Sequence, residues 1–138
     1  MRNLLKLAAV AALCVTASTA ALHAEDNCAD KIAIDSVHQV ANNGANKASA
    51  PFEYYFKARN KTKTMVRFNL KFGNMPSGVN LFSASLPGIS ILAEKTKEEK
   101  FGSGTSQGVN NGVIRTVYST PGGSGAYVYV YDCIVASH

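Results

Sequence analysis

The stretch FEYYFKARNKTKTMVRFNLKF, residues 52–72, holds two alternating runs around a polar break, and its reading decides the fold. In the first run Tyr54, Phe56 and Ala58 share one parity; in the second, Val66, Phe68, Leu70 and Phe72 do so. Alternate side chains of a strand point to one face, so both sets are expected to face a core. The opposite parity carries Lys57, Arg59, Lys61 and Lys63, then Arg67, Asn69 and Lys71. Joined by Asn60-Lys61-Thr62-Lys63, the runs read as a β-hairpin with one apolar face and one strongly positive face.

Outward from this hairpin the pattern repeats. Short runs rich in Val, Ile, Tyr, Phe and Thr cover residues 31–40, 52–60, 64–72, 78–85, 88–94, 112–120 and 126–135. Between them stand turn signals such as Asn42-Asn43-Gly44, Met75-Pro76-Ser77-Gly78, Asn110-Asn111-Gly112 and Pro121-Gly122-Gly123. The composition and spacing are those of strands and turns, and they predict an all-β, mostly antiparallel sandwich of about seven strands. The last run, AYVYVYDCIV (126–135), is apolar on both faces, as in a central strand, so its row of Tyr127, Tyr129 and Tyr131 is expected to pack in the core. Residues 94–100, EKTKEEK, lose all apolar periodicity and fit a solvated strand extension or a turn or two of helix. Residues 102–112, rich in Gly, Ser, Asn and Gln, read as a long mobile loop. The pattern resembles immunoglobulin-like sandwiches in general architecture, although the chain has no tryptophan and its cysteines sit at the ends of the domain.

The front of the chain predicts export. Arg2 and Lys6 precede an apolar run at 7–15, and small residues follow at Ala20, Ala21 and Ala24: the order of a secretory signal peptide over residues 1–24. The apolar run is shorter than the roughly 20 residues a spanning helix needs. Residues 25–138 are then one secreted or periplasmic domain without a transmembrane segment. Of the three cysteines, Cys14 leaves with the signal, and an isolated pair in an oxidising compartment normally forms a disulfide, here Cys28 with Cys133. Loss of Arg2 and Lys6 takes 14 basic residues to 12 against 9 acidic, and the formal charge from +5 to +3. That excess is weaker and less clustered than in most nucleic-acid binders, and export argues independently against nucleic acid as a partner.

The remaining residues offer little chemistry. Only His38 and His138 survive processing as histidines, neither at metal-ligand spacing from another ligand, and no nucleophile elbow is present. No enzyme activity, cofactor or metal is therefore expected. The positive set Lys57, Arg59, Lys61, Lys63, Arg67 and Lys71 is the most specific hint, since such a surface attracts anions, although a solvated sheet face reads the same way. The tyrosine row could serve as a platform for sugar rings or peptides. The expected function is that of an accessory, adaptor or inhibitor-like binding module. Its partner would be an envelope protein or an anionic polysaccharide or lipid head group, held on the basic hairpin face. The alternative is a structural subunit of an envelope secretion or adhesion assembly that joins its neighbours by strand addition.

Overall fold

Tyr54, Phe56 and Ala58 do face the core, and so do Val66, Phe68, Leu70 and Phe72, yet the two runs are not a hairpin. In the computed structural model, which describes residues 28–45 and 49–136, they lie in opposite sheets. The expected signal peptide and His138 are outside the described residues.

After a helical turn, α1 (Cys28–Lys31), the strands are β1 (Ile32–Ala41), β2 (Phe52–Asn60), β3 (Val66–Gly73), β4 (Val79–Leu81), β5 (Ser85–Ile91), β6 (Thr96–Gly104), β7 (Arg115–Val117) and β8 (Tyr127–Val135). The first sheet has the order β1-β2-β6-β4 and the second β5-β3-β8-β7. All neighbours are antiparallel except β7 and β8, which run parallel. The third strand neighbours the last, whereas the immunoglobulin order CFG puts the penultimate strand beside the third.

Among the described residues eight strands replace the expected seven, and the additional one is β6. Its first half is charged on both parities, so no apolar alternation marks it. The physical reason is its position. β4 is three residues long and covers only the stretch Gly102 to Gly104, which leaves the front of β6 as the sheet's margin. There the inward-parity Lys97 and Glu99 stay partly exposed and approach each other at 3.6 Å. Charges at such positions discourage edge-to-edge pairing.

The interface between the sheets is aromatic. Phe72 of β3 stacks on Phe101 of β6 at 4.8 Å between centroids, and Phe56 of β2 approaches Phe72 at 6.4 Å. Offset and tilted pairs of this kind add roughly 0.5–1.5 kcal/mol each beyond the area they bury. Val128 and Val130 of β8 and Ile89 and Ile91 of β5 complete the second sheet's inner face.

The chain crosses between sheets twice at one end, after β2 and after β5, and a single side chain ties the crossings together. Buried Asn60 donates from Nδ2 to the carbonyls of Thr64 and Ile91, both at 2.8 Å, while its Oδ1 accepts from the Thr62 N–H and hydroxyl. At the same end Cys28 is bonded to Cys133, 105 positions further along the sequence, with 5.4 Å between Cα atoms. A loop of that length gives about 4–5 kcal/mol of stabilisation in the chain-entropy model.

Candidate functional site

A crossover keeps both apolar rows inward but sends the two polar rows to opposite faces of the sandwich. The six predicted basic residues are therefore split. Lys57 and Arg59 belong to the outer face of the first sheet, Lys61 and Lys63 to the crossover loop, and Arg67 and Lys71 to the outer face of the second sheet. The continuous positive surface expected from parity is not formed.

On the first sheet, the neighbours of β2 supply carboxylates. Arg59 binds Asp35 of β1 through Nε and Nη2, the shortest contact being 2.9 Å, and the Asp35 carboxylate raises the guanidinium pKa. Lys57 stands in register with Glu98 of β6, and Lys61 donates to the Ala29 carbonyl at 2.7 Å. Lys100 of β6 meets Glu53 of β2 at 2.9 Å; its hydrogen bond holds the Glu53 carboxyl below the ordinary carboxylate range. Ser36, His38 and Glu98 also line up here: Ser36 Oγ is 3.0 Å from His38 Nδ1, and His38 Nε2 is 3.5 Å from Glu98. A hydrolase triad uses the ring nitrogens the other way round. His38 also stacks on Tyr55 at 5.8 Å, so this polar row links β1, β2 and β6 laterally. The first sheet presents a charge-matched surface.

The second sheet differs. Among the described residues, Arg67 and Lys71 make no ion pair. Beside them stand the tyrosines of β8, which are half-buried on the outer face and not packed in the core as the apolar run predicts; the buried residues of this stretch are Ala126, Val128, Val130 and Cys133. Register places Tyr129 opposite Lys71 and Tyr131 opposite Asn69, with the two rings stacked at 4.8 Å. Tyr127 lies across Gly73, where a Cβ would collide with its ring. A bulge in β8 sets Asp132 at φ 54°, a left-handed conformation that Asp and Asn tolerate better than most residues.

This bulge opens a groove of about 530 Å³ lined by Arg67, Asn69, Asp132, Cys133 and Ile134. The volume is within the roughly 300–1,000 Å³ typical of small-molecule sites. Asn69 is the organiser: its Oδ1 accepts the Gly88 N–H at 2.8 Å, and its Nδ2 donates to Asp132 at 3.4 Å. The Arg67 guanidinium lies along Gly88, whose positive φ of 67° and lack of a Cβ leave it room. Ile134 is 64% exposed at the groove's margin. The bulge, and hence the groove, carries no signal in alternation alone; the only hint is an aspartate interrupting an apolar strand.

The sheet edges are largely covered. The loop after β6, expected to be mobile, is anchored at three points: Tyr54 donates to Ser106 O at 2.7 Å, Val109 N–H to Gln39 at 3.1 Å, and Asn111 bonds the outer edge of β1. Tyr118, following β7, donates to Ile32 O at 2.7 Å and closes the same side. β4 and β7 are three residues each, and β5 carries Pro87.

No protein-family model, curated protein or solved structure matches the chain. No helix among the described residues is long and apolar enough to cross a membrane.

Proposed function

We propose that the protein is an exported, non-enzymatic binding module that recognises an anionic polysaccharide of the cell envelope through the outer face of its second sheet. The observation that carries this reading is the contrast between the two faces. Cations of the first sheet stand against Asp35, Glu53 and Glu98, whereas Arg67 and Lys71 have no ion-pair partner among the described residues and flank a row of half-buried tyrosines. Arg67 and Lys71 are four residues apart on one strand, a span of about 13 Å, which suits an extended chain of repeating charge. Tyrosine contributes an apolar ring and a polar tip, the combination that sugars favour. The short, proline-bearing or capped edges support a self-contained module over an assembly subunit that adds strands.

The test is retention of the oxidised protein on an immobilised acidic polysaccharide at low and high salt. Charge reversal at Arg67 and Lys71 should abolish retention, while reversal at Lys57 and Arg59 should leave it within about twofold, because those sites sit among carboxylates. Equal losses from both pairs, or none from either, would refute this assignment of the face.

A further inference from the structure

The groove beside Tyr131 combines groups that a simple polyanion surface does not need. Arg67 supplies a planar cation with several donors. Asp132 supplies a carboxylate in the same groove, too far from Arg67 for an ion pair. Asn69 adds an amide already fixed by Gly88, and Ile134 an exposed apolar wall. Tyr131 is the register partner of Asn69, so it adjoins this groove from the β8 side.

A carboxylate at an anion-binding face opposes the very ligand the face attracts, unless that ligand also brings hydroxyl donors. A sugar acid has this mixed chemistry. We infer that the groove formed by Arg67, Asn69, Asp132 and Ile134 is a subsite for one uronic acid residue of the polysaccharide. Its carboxylate binds Arg67, its ring hydroxyls donate to Asp132 and accept from Asn69, and its C–H face rests on Ile134 and Tyr131. This inference rests on the second-sheet reading above and adds the ligand's chemical class. Lys71, about 13 Å along β3, then meets a later carboxylate of the same chain.

Asp132 makes the inference sharp, because the two readings predict opposite signs for its removal. If the face merely collects negative charge, Asp132→Asn removes a repulsion and tightens binding of every polyanion. If Asp132 accepts sugar hydroxyls, the same change loses charge-assisted hydrogen bonds and weakens uronate binding by about tenfold. Asn is suited to the left-handed backbone at this position, and Asp132→Gly, which removes the side chain without backbone strain, is a second variant should the first be poorly folded.

Calorimetric titration of the oxidised protein would use a galacturonate trimer, its fully methyl-esterified form, a sulfated glucan of similar length and a zwitterionic dipeptide. The expected result is binding of the trimer at least about tenfold tighter than its ester, with Asp132→Asn weakening it about tenfold. Equal binding of the sulfated glucan, with both acids bound more tightly by Asp132→Asn, would overturn the uronate subsite while leaving the polyanion face intact. Binding of the dipeptide in place of the trimer would make the groove a peptide-end site and overturn the inference. No binding of either acidic sugar would remove both readings together.

Discussion

The side-chain carbonyl of Asn111 accepts the backbone N–H of Val37 while its amide donates to the carbonyl of Asp35, so one side chain imitates a neighbouring strand along the outer edge of β1. β1 is ten residues long and would otherwise present a ladder of unpaired groups. Asn111→Ala should cost about 1–2 kcal/mol, the usual penalty for leaving a partly buried donor unmet. It should also produce dimers or larger species at high concentration as copies pair along β1. Urea unfolding and light scattering after gel filtration would check both. A variant that stays monomeric at unchanged stability would deny Asn111 this capping role.

Asn60 makes a different kind of prediction, because its Nδ2 faces carbonyls of both crossovers. Asn60→Asp keeps the acceptor for Thr62 but points a carboxylate at those carbonyl oxygens. We expect a loss of about 3 kcal/mol at neutral pH, since buried acceptors lose their donor and a charge is buried without a partner. The new carboxyl's pKa in the folded variant would be raised, so its protonated form still donates a hydrogen bond and the deficit should shrink as the pH falls through the carboxylate range. Denaturation at pH 4 and pH 7 would read this out; a deficit independent of pH would mean that the hydrogen-bond hub matters less than side-chain volume.

Alternation in residues 52–72 predicts which side chains are buried, and burial of Tyr54, Phe56, Phe68 and Phe72 follows it. It cannot say whether the two strands lie side by side or face to face, because a hairpin and a crossover bury the same parity. The difference lies in the break: Asn60 is apolar in position but polar in kind, and its hydrogen bonds to Thr64 and Ile91 are what turn the chain into the other sheet. The cations were therefore legible as outward-facing but not as belonging to two surfaces. Their pairing was hidden too, since Asp35 is 24 residues from Arg59 in sequence and Glu53 is 47 from Lys100. The disulfide was readable from elimination, whereas the groove depends on a bulge that no composition encodes.

Gly73 and Tyr127 should behave as a unit. The tyrosine ring lies where an alanine methyl at position 73 would have to go. Gly73→Ala alone should destabilise by about 1–3 kcal/mol, as overpacking does. In a Tyr127→Ala background the space is vacated, and the same change should be close to neutral or mildly stabilising through the unfolded chain. A double-mutant cycle by urea unfolding measures the coupling. Additive effects would show that the ring moves aside without cost.

Tyr54 links stability to alkaline pH. Its ring is fully buried, its hydroxyl donates to Ser106 O at 2.7 Å, and burial raises its pKa above the ordinary tyrosine value. The folded state thus favours the neutral phenol. For a group whose folded pKa exceeds its unfolded one, the stabilisation is complete below the unfolded value of about 10 and disappears as the pH rises through the folded value. At neutral pH Tyr54→Phe should cost about 1 kcal/mol, the net worth of the lost hydrogen bond to the loop. Above about pH 10 the wild type must either keep Tyr54 protonated or bury a phenolate, and the phenylalanine variant does neither. Across a pH series the gap between the two proteins should hold up to about pH 10 and close above it, whereas Tyr55 and Tyr118, whose pKa values are also raised, affect both proteins alike and cancel. Urea midpoints measured across that series decide the matter. A gap that stays constant would mean that the Tyr54 hydroxyl is solvated in the folded protein and that the loop after β6 is not sealed over it.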